Sequence, residues 1–336
     1  MSLRYSGAFA FLFSIPLLFA FAGAGAALAT VIAVPLVLIG AEFLWPAREA
    51  PVSVDIGQLF RILAIFYIPC QLAVTLWAAF IVARVDTSAL AFVSLALATG
   101  ITMGVFGMLV AHEMIHSRDR VENTLGVLML TGMSYRHFRI AHVHGHHRYA
   151  ATPRDPATAR KGESYYAFLP RTLAGQFTDA WRFEAGRCQR AGSGILANRV
   201  FRDLLVMLAL YALLWAALGQ RAVAFLAIES AVAIMALELF NYVAHYGLVR
   251  APDEAFTDRH SWNASHPVGN ALLFNMGRHS DHHRRAAAPY QTLQPVANTP
   301  ELPAGYAGSM LMALIPPLWR RVMDRRVGEL RAQPAE

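Results

Sequence analysis

Six apolar runs occur in this sequence, at residues 7–23, 26–44, 59–82, 90–111, 204–218 and 222–242. Each approaches the roughly 20 residues that a helix needs to cross the hydrocarbon core of a bilayer. Lipid offers no hydrogen-bond partners, so a spanning segment must pair its own N–H and C=O groups, and runs of this kind do so as helices. The fold expected is all-α: an integral membrane six-helix bundle. Composition agrees, since 56% of the 336 residues are hydrophobic and only 15% are charged, too apolar for an ordinary soluble domain. Pro16, Pro35 and Pro69 fall inside three of the runs, where neighbouring groups in a bundle take up the freed carbonyls. The first twenty residues have the outline of a signal peptide. A second apolar run follows almost at once, so a retained helical hairpin is expected instead.

Charge sets the topology. The formal balance is +7, and of the 29 basic residues only Lys161 is not arginine. Basic loops are what a membrane protein needs for orientation, so no nucleic-acid partner is expected. Arg84 and Arg221 lie in two short connections on one side of the expected bundle, and almost every other arginine lies on the other. The positive-inside rule then puts both termini and the segments 112–200 and 246–336 on the cytoplasmic side of the cell inner membrane. Thr124 to Tyr135 is apolar but too short to span, and is expected to form a re-entrant or interfacial helix. Residues 136–198 turn polar, punctuated by Pro153, Pro156 and Pro170, and read as a cytoplasmic loop and helix region. Tyr306 to Arg326 has the mixed faces of an interfacial helix, broken at Pro316 and Pro317. The whole, residues 1–336, reads as a single domain.

Four histidine clusters follow the apolar runs: His112-Glu-Met-Ile-His116, His142-Val-His-Gly-His-His147, His245 after Asn241-Tyr-Val-Ala, and His279-Ser-Asp-His-His283. His112 and His116 are four apart, and so share a face of an α-helix. His142 and His146 repeat that spacing, and the adjacent His147 projects about 100° away, enough to reach a second ion. His279 and His282 are three apart, with His283 beside the latter. Nine imidazoles result, His112, His116, His142, His146, His147, His245, His279, His282 and His283. They fit two metals at four or five nitrogens each. His144, His137, His260 and His266 are expected to be structural or to support the ligands. Glu238 sits two helical turns before His245; an acid within a span is functional by default, and it is expected to face the metal site.

A bare His-Glu-x-x-His suggests a zinc protease with Glu113 as general base. Seven further histidines exceed what one tetrahedral zinc uses. Imidazole suits Fe, Zn, Cu or Ni, and a site at the mouth of an apolar bundle, where only apolar substrate gathers, favours a redox metal acting on C–H bonds with O₂. A metal-binding transporter would need its ligands at mid-bilayer depth rather than at one surface. Cys70 and Cys188 supply neither a disulfide framework nor an iron–sulfur centre.

From Met103 to Leu293 the sequence resembles the integral-membrane alkane 1-monooxygenase family, within the histidine-rich fatty acid desaturase and hydroxylase superfamily. The resemblance rests on His112-Glu-Met-Ile-His116, Gly145-His-His147 followed by Ala151-Thr-Pro-Arg-Asp-Pro-Ala157 and Gly162-Glu-Ser164, Asn241-Tyr-Val-Ala-His245-Tyr-Gly-Leu248, His260-Ser-Trp-Asn263, and Arg278-His-Ser-Asp-His-His283 leading to Tyr290-Gln-Thr-Leu293. It implies two non-heme iron ions (a di-iron centre) on the nine histidines, and oxygen insertion into a terminal or benzylic carbon of an apolar small molecule that enters from membrane lipid. It also implies electrons from a rubredoxin or ferredoxin with its NAD(P)H-dependent reductase. A linear alkane or alkyl group is the first expectation. Aryl-methyl (xylene-type) or lipid hydroxylation, and fatty acid desaturation on the same irons, remain alternatives, because Ala141 and Ala244 stand where many alkane hydroxylases carry Glu.

Overall fold

The computed structural model describes residues 5–23, 25–45 and 57–332. In chain order its helices are α1 (Gly7–Ala22), α2 (Leu28–Leu44), α3 (Gly57–Arg84), α4 (Ala89–His116), α5 (Arg120–Gly132), α6 (Tyr165–Arg190), α7 (Arg199–Leu218), α8 (Gln220–His245), α9 (Pro267–Leu272), α10 (His279–Arg284), α11 (Gly305–Ala313) and α12 (Pro316–Ala332), with short turns between Phe138 and Tyr149. No strand longer than an isolated bridge occurs among the described residues. The all-α class expected from the apolar runs is thus observed. Four helices, within α3 and over α4, α7 and α8, are long and apolar enough to cross a membrane. The first two expected spans form α1 and α2, apolar helices of 16 and 17 residues. Met1–Arg4, where the signal-peptide outline begins, and the C-terminal 333–336 lie outside the described residues.

The chain divides into two compact units, one of residues 1–36, 58–140 and 180–237, the other of 37–57, 141–179 and 238–336; α2, α6 and α8 contribute to both. In the first unit α4 and the facing part of α8 approach closely through Gly100 and Gly104. A Cβ on Gly100 would lie 2.7 Å from Val232 Cβ, and one on Gly104 2.7 Å from the Ala233 carbonyl oxygen. This small-x-x-x-small spacing lets two membrane helices pack backbone to backbone. Arg84 donates to the Ala217 carbonyl at 2.8 Å and Arg221 to that of Thr87 at 3.0 Å, so the two short connections lie side by side, as the charge reading required. At the other end of α7, Asp203 takes Arg136 at 2.8 Å and Arg139 at 3.3 Å. Between these polar ends α7 exposes Leu204, Leu208, Leu213 and Trp215, the apolar surface that lipid would cover.

The short apolar stretch after the first histidine cluster begins earlier than expected. α5 starts at Arg120 because Asp119 caps it, accepting from the Val121 and Glu122 N–H groups at 2.9 and 3.0 Å. Its Glu122 pairs with Arg61 of α3.

In the second unit the expected C-terminal interfacial helix is two helices. Pro316 and Pro317 open α12, as suits residues with no N–H to contribute to a first turn. α12 buries Trp319, Met323 and Val327, with the Trp319 ring 5.2 Å from Tyr246 and 5.7 Å from Tyr242. Glu42, at the end of α2, accepts from the N–H groups of Tyr306 at 3.1 Å and Gly308 at 3.4 Å, satisfying donors that the start of α11 leaves open. Tyr306 in turn donates from its hydroxyl to the Trp262 carbonyl at 2.7 Å, and Tyr242 to that of Glu163 at 2.6 Å. These bonds hold the loops that carry the histidines.

Candidate metal centre

The second histidine cluster does not wind as an α-helix. Ala141–His146 is a π-helical turn, with His147–Tyr149 continuing as α. In an i→i+5 turn, residues five apart fall on one side. His142 and His147 accordingly meet, Nε2 to Nε2 at 3.0 Å, and His282 joins them, its Nε2 3.1 Å from that of His147. His146 faces elsewhere. It forms a set with His245, His279 and His283 whose ligand nitrogens all lie within 4.8 Å of one another. The Nε2 atoms of His245 and His283 each lie 3.2 Å from that of His279. The structure therefore divides the clusters differently from the spacing argument: His142 pairs with His147 rather than His146, because the turn is π, and His279 pairs with His283 rather than His282, being one α-turn away. His112 and His116 belong to the first unit, at the end of α4, with ring centroids 4.9 Å apart.

Supporting groups fix which nitrogen each ring presents. His146 places Nδ1 2.8 Å from Asp155 Oδ2, and Asp155 is further held by the Thr158 hydroxyl at 2.7 Å and the Ala157 N–H at 3.0 Å. Burial works to raise the Asp155 carboxyl, but the His146 imidazole and these hydrogen bonds outweigh it and hold the group below its usual range. His245 donates through Nδ1 to the His260 carbonyl at 2.8 Å. With Nδ1 protonated, each ring turns a lone pair outward from Nε2. Asn263 accepts from the Ser280 N–H at 2.9 Å, and Asp281 takes Arg285 and the Gln294 N–H, so α10 is anchored at both ends. Arg250 spans the carbonyls of Arg148 at 2.8 Å and Ala150 at 3.0 Å, bracing the turn after His147.

The sets fit a metal ion. The buried Nε2 of His146 has no hydrogen-bond partner. His279 Nε2 lies 3.2 Å from two other Nε2 atoms, and a single ring nitrogen can hydrogen-bond with at most one of them as donor. Lone pairs so placed call for a cation between them. Two nitrogens bound at about 2.1 Å and subtending 90–109° stand roughly 3.0–3.4 Å apart, the separations seen here. Burial first, and neighbouring imidazoles second, keep His279 and His283 well below the usual histidine range, hence neutral and ready to bind. An all-imidazole donor set selects a first-row transition metal over magnesium or calcium.

The remaining candidates fall outside both sets. His144 is exposed, while His137 is half-buried in the first unit, its ring 4.7 Å from Tyr135 and its pKa lowered by desolvation to about 4. His260 serves through its backbone carbonyl, and its ring accepts from the Thr257 N–H at 2.9 Å. His266 precedes α9 as its N-cap. Glu113 and Asp281 join neither set. Glu238 departs from expectation: it accepts from Gln176 at 2.8 Å, Thr172 at 3.1 Å and Asn241 at 3.2 Å, a polar cluster that satisfies a buried acid without a metal. Sequence reasoning missed Asp155, although its motif was in view, and could not see the His260 carbonyl, since any residue carries one.

Comparison with known proteins agrees with this chemistry. Residues 87–311 match the fatty acid desaturase family model. The chain is 37% identical over 299 residues to alkane 1-monooxygenase 1 of Pseudomonas aeruginosa, covering 86% of this chain and 78% of that protein. It is 38% identical over 294 residues to alkane 1-monooxygenase 2 of the same organism, covering 84% and 76%. It is also 32% identical over 219 residues to the hydroxylase component of a xylene/toluene monooxygenase from Pseudomonas putida, covering 64% and 59%. With a histidine-rich metal centre on a scaffold of membrane-length helices, the chain belongs to the fatty acid desaturase family, in its alkane 1-monooxygenase group.

Proposed function

We propose that this chain is a membrane-bound, non-heme di-iron monooxygenase that hydroxylates the terminal carbon of an alkane or alkyl group. The observation that carries the reading is the split between neighbours: His146 and His147 serve different imidazole sets, as do His282 and His283. Adjacent residues divided in this way are what two neighbouring ions would need, which supports the reading. In this reading His142, His147 and His282 would hold one ion and His146, His245, His279 and His283 the other, and the His112 and His116 pair completes the nine ligands that the sequence offers. Iron bound there supplies the reductive activation of O₂, with the balance RH + O₂ + 2e⁻ + 2H⁺ → ROH + H₂O. The chain's own residues orient the ligands: Asp155 and the His260 carbonyl keep Nε2 of His146 and His245 unprotonated and aimed inward.

α1 and α2 join the four longer helices as a six-helix bundle in the cell inner membrane, with the site and both termini cytoplasmic, and the 336 residues work as one functional domain. The basic residues support that orientation. The apolar substrate enters from the bilayer. Electrons come from a rubredoxin or ferredoxin with its reductase, because the two cysteines of these residues, Cys70 and Cys188, cannot hold an iron–sulfur centre. Aryl-methyl hydroxylation is the second reading, favoured by the similarity to the xylene/toluene enzyme component.

Purified protein is expected to hold about two irons per chain, and one zinc would overturn the proposal. Octane, xylene and a fatty acyl lipid, each supplied with rubredoxin and its reductase, separate the substrates. A terminal alcohol from octane is expected, benzyl-type alcohol alone would select the second reading, and an alkene would make the chain a desaturase.

A further inference from the structure

The second unit contains a cleft of about 260 Å³ whose lining includes Asp155, the acid that meets His146. Its lining carries four cations, Arg160, Lys161, Arg171 and Arg331, and Asp155 as its one acid. Asp155 is committed to His146 and Thr158, and Arg171 to Glu163 at 2.8 Å, whereas Arg160 and Lys161 are exposed. Arg331 donates to the Gly247 carbonyl at 2.9 Å, which fixes α12 as one wall. Cations thus dominate the lining, and its Asp155, itself buried, is linked to the metal centre by one short contact, Oδ2 to His146 Nδ1 at 2.8 Å.

We infer that this cleft is the docking and electron-entry port for an acidic one-electron carrier protein, with Asp155 and His146 as the path to the imidazole sets. The inference rests on the monooxygenase reading for its chemistry: each turnover takes two electrons, delivered singly as the reduced carrier is oxidised, and passes them to O₂ with two protons. Charge complementarity of this kind steers a redox partner and sets its orientation. Tunnelling falls steeply with distance, so a surface that reaches a metal ligand through one hydrogen bond is a favourable place for a carrier to sit. The competing surface route is Phe256, half-buried and stacked on His283 at 4.7 Å between centroids. Its loop mixes Asp253, Glu254 and Asp258 with Arg250 and Arg259, and Asp258 is paired with Arg284 at 3.1 Å, so it lacks the cationic excess of the cleft.

The test uses the full chain in nanodiscs and a bacterial rubredoxin as probe. Charge reversal at two exposed positions, Arg160→Glu with Lys161→Glu, is expected to weaken rubredoxin binding about tenfold or more at low salt, with a smaller effect at high salt. Oxidation of pre-reduced rubredoxin should slow in step, with the yield of alcohol per electron unchanged. Phe256→Ala should leave the affinity as it was. An unchanged rubredoxin Kd in the double variant overturns the inference, as does failure of the wild-type chain to bind rubredoxin at all. Loss of phosphatidylglycerol co-purifying with the double variant, with rubredoxin Kd unaltered, would overturn the port and assign the cleft to a lipid headgroup instead. Charge-sensitive rubredoxin binding by a chain that oxidises no hydrocarbon would refute the monooxygenase reading and leave the port standing.

Discussion

The two imidazole groups of the second unit are aimed by different means. His142, His147 and His282 owe their meeting to winding: a π-turn brings residues five apart onto one side. His146, His245, His279 and His283 owe theirs to bracing, with Asp155 behind one ring, the His260 carbonyl behind another, and Phe240 and Phe256 set against the last two at 5.5 and 4.7 Å. A wound set depends on backbone geometry that few side-chain changes touch. A braced set can be loosened one support at a time. The sharpest test of the distinction uses adjacent residues. His146→Ala and His147→Ala are each expected to reduce turnover by more than the about 100-fold typical of losing a supporting group, and each to leave about one iron per chain. The irons left behind belong to different sets, so they should differ in Mössbauer signature. Identical spectra from the two variants would show that the sets are one.

The next effect in size falls on the bracing itself. Asp155→Asn keeps a hydrogen-bond acceptor near His146 but removes its charge and can flip to present a donor. Iron affinity of the braced set is expected to fall about 10- to 100-fold, measured by chelator competition, with the wound set little changed. Equal loss from both sets would mean that Asp155 supports the whole loop rather than one ring.

Much of this site was legible beforehand, and the part that was not has a definite cause. All nine imidazoles could be selected because they cluster at ligand spacing, and three of them close apolar runs: α4 continues beyond residue 111 to carry His112 and His116, and α8 beyond 242 to carry His245. The membrane class was likewise readable from run length. The grouping was not, since a spacing argument assumes 3.6 residues per turn and the sequence Ala141 to His146 gives no sign that its backbone winds more loosely. Glu238 misled because an acid within a span is costly wherever it faces, and Thr172 and Gln176, which satisfy it, lie more than sixty residues earlier. Asp155 was in view within a motif, but nothing in its spacing to His146 distinguishes a brace from a turn former.

Protons offer a way to separate metal-site effects from the rest of the fold. His137 lies in neither set and is half-buried, with its pKa lowered by desolvation to about 4. Its neutral form is native, so the unfolded chain binds the extra proton first as pH falls below the ordinary 6.5. Stability is therefore fully present above about pH 6.5 and is lost progressively down to about pH 4, by about 3 kcal/mol from this group. In metal-free protein, His137→Gln should flatten that limb of a denaturation-against-pH curve. If the limb is unchanged, the acid sensitivity comes from the imidazole sets, whose His279 and His283 are shifted in the same direction.

The smallest expected effect is the most specific to bracing by packing. Phe256 lies nearly parallel to His283, 18° between planes, and also 5.6 Å from the His260 ring, whose backbone carbonyl supports His245. One aromatic side chain thus touches two of the braced positions without bonding to either. An aromatic pair of this kind contributes about 0.5–1.5 kcal/mol beyond the area it covers, which corresponds to a factor of about two to ten in an equilibrium. Phe256→Ala should therefore raise the rate of iron release from the braced set by a few-fold, and Phe256→Leu, which keeps apolar cover but no ring, by less. If alanine and leucine release iron at the same faster rate, the ring face matters. If leucine behaves as the wild type, His283 needs only shielding from water, and the braced set is held by Asp155 and the His260 carbonyl alone.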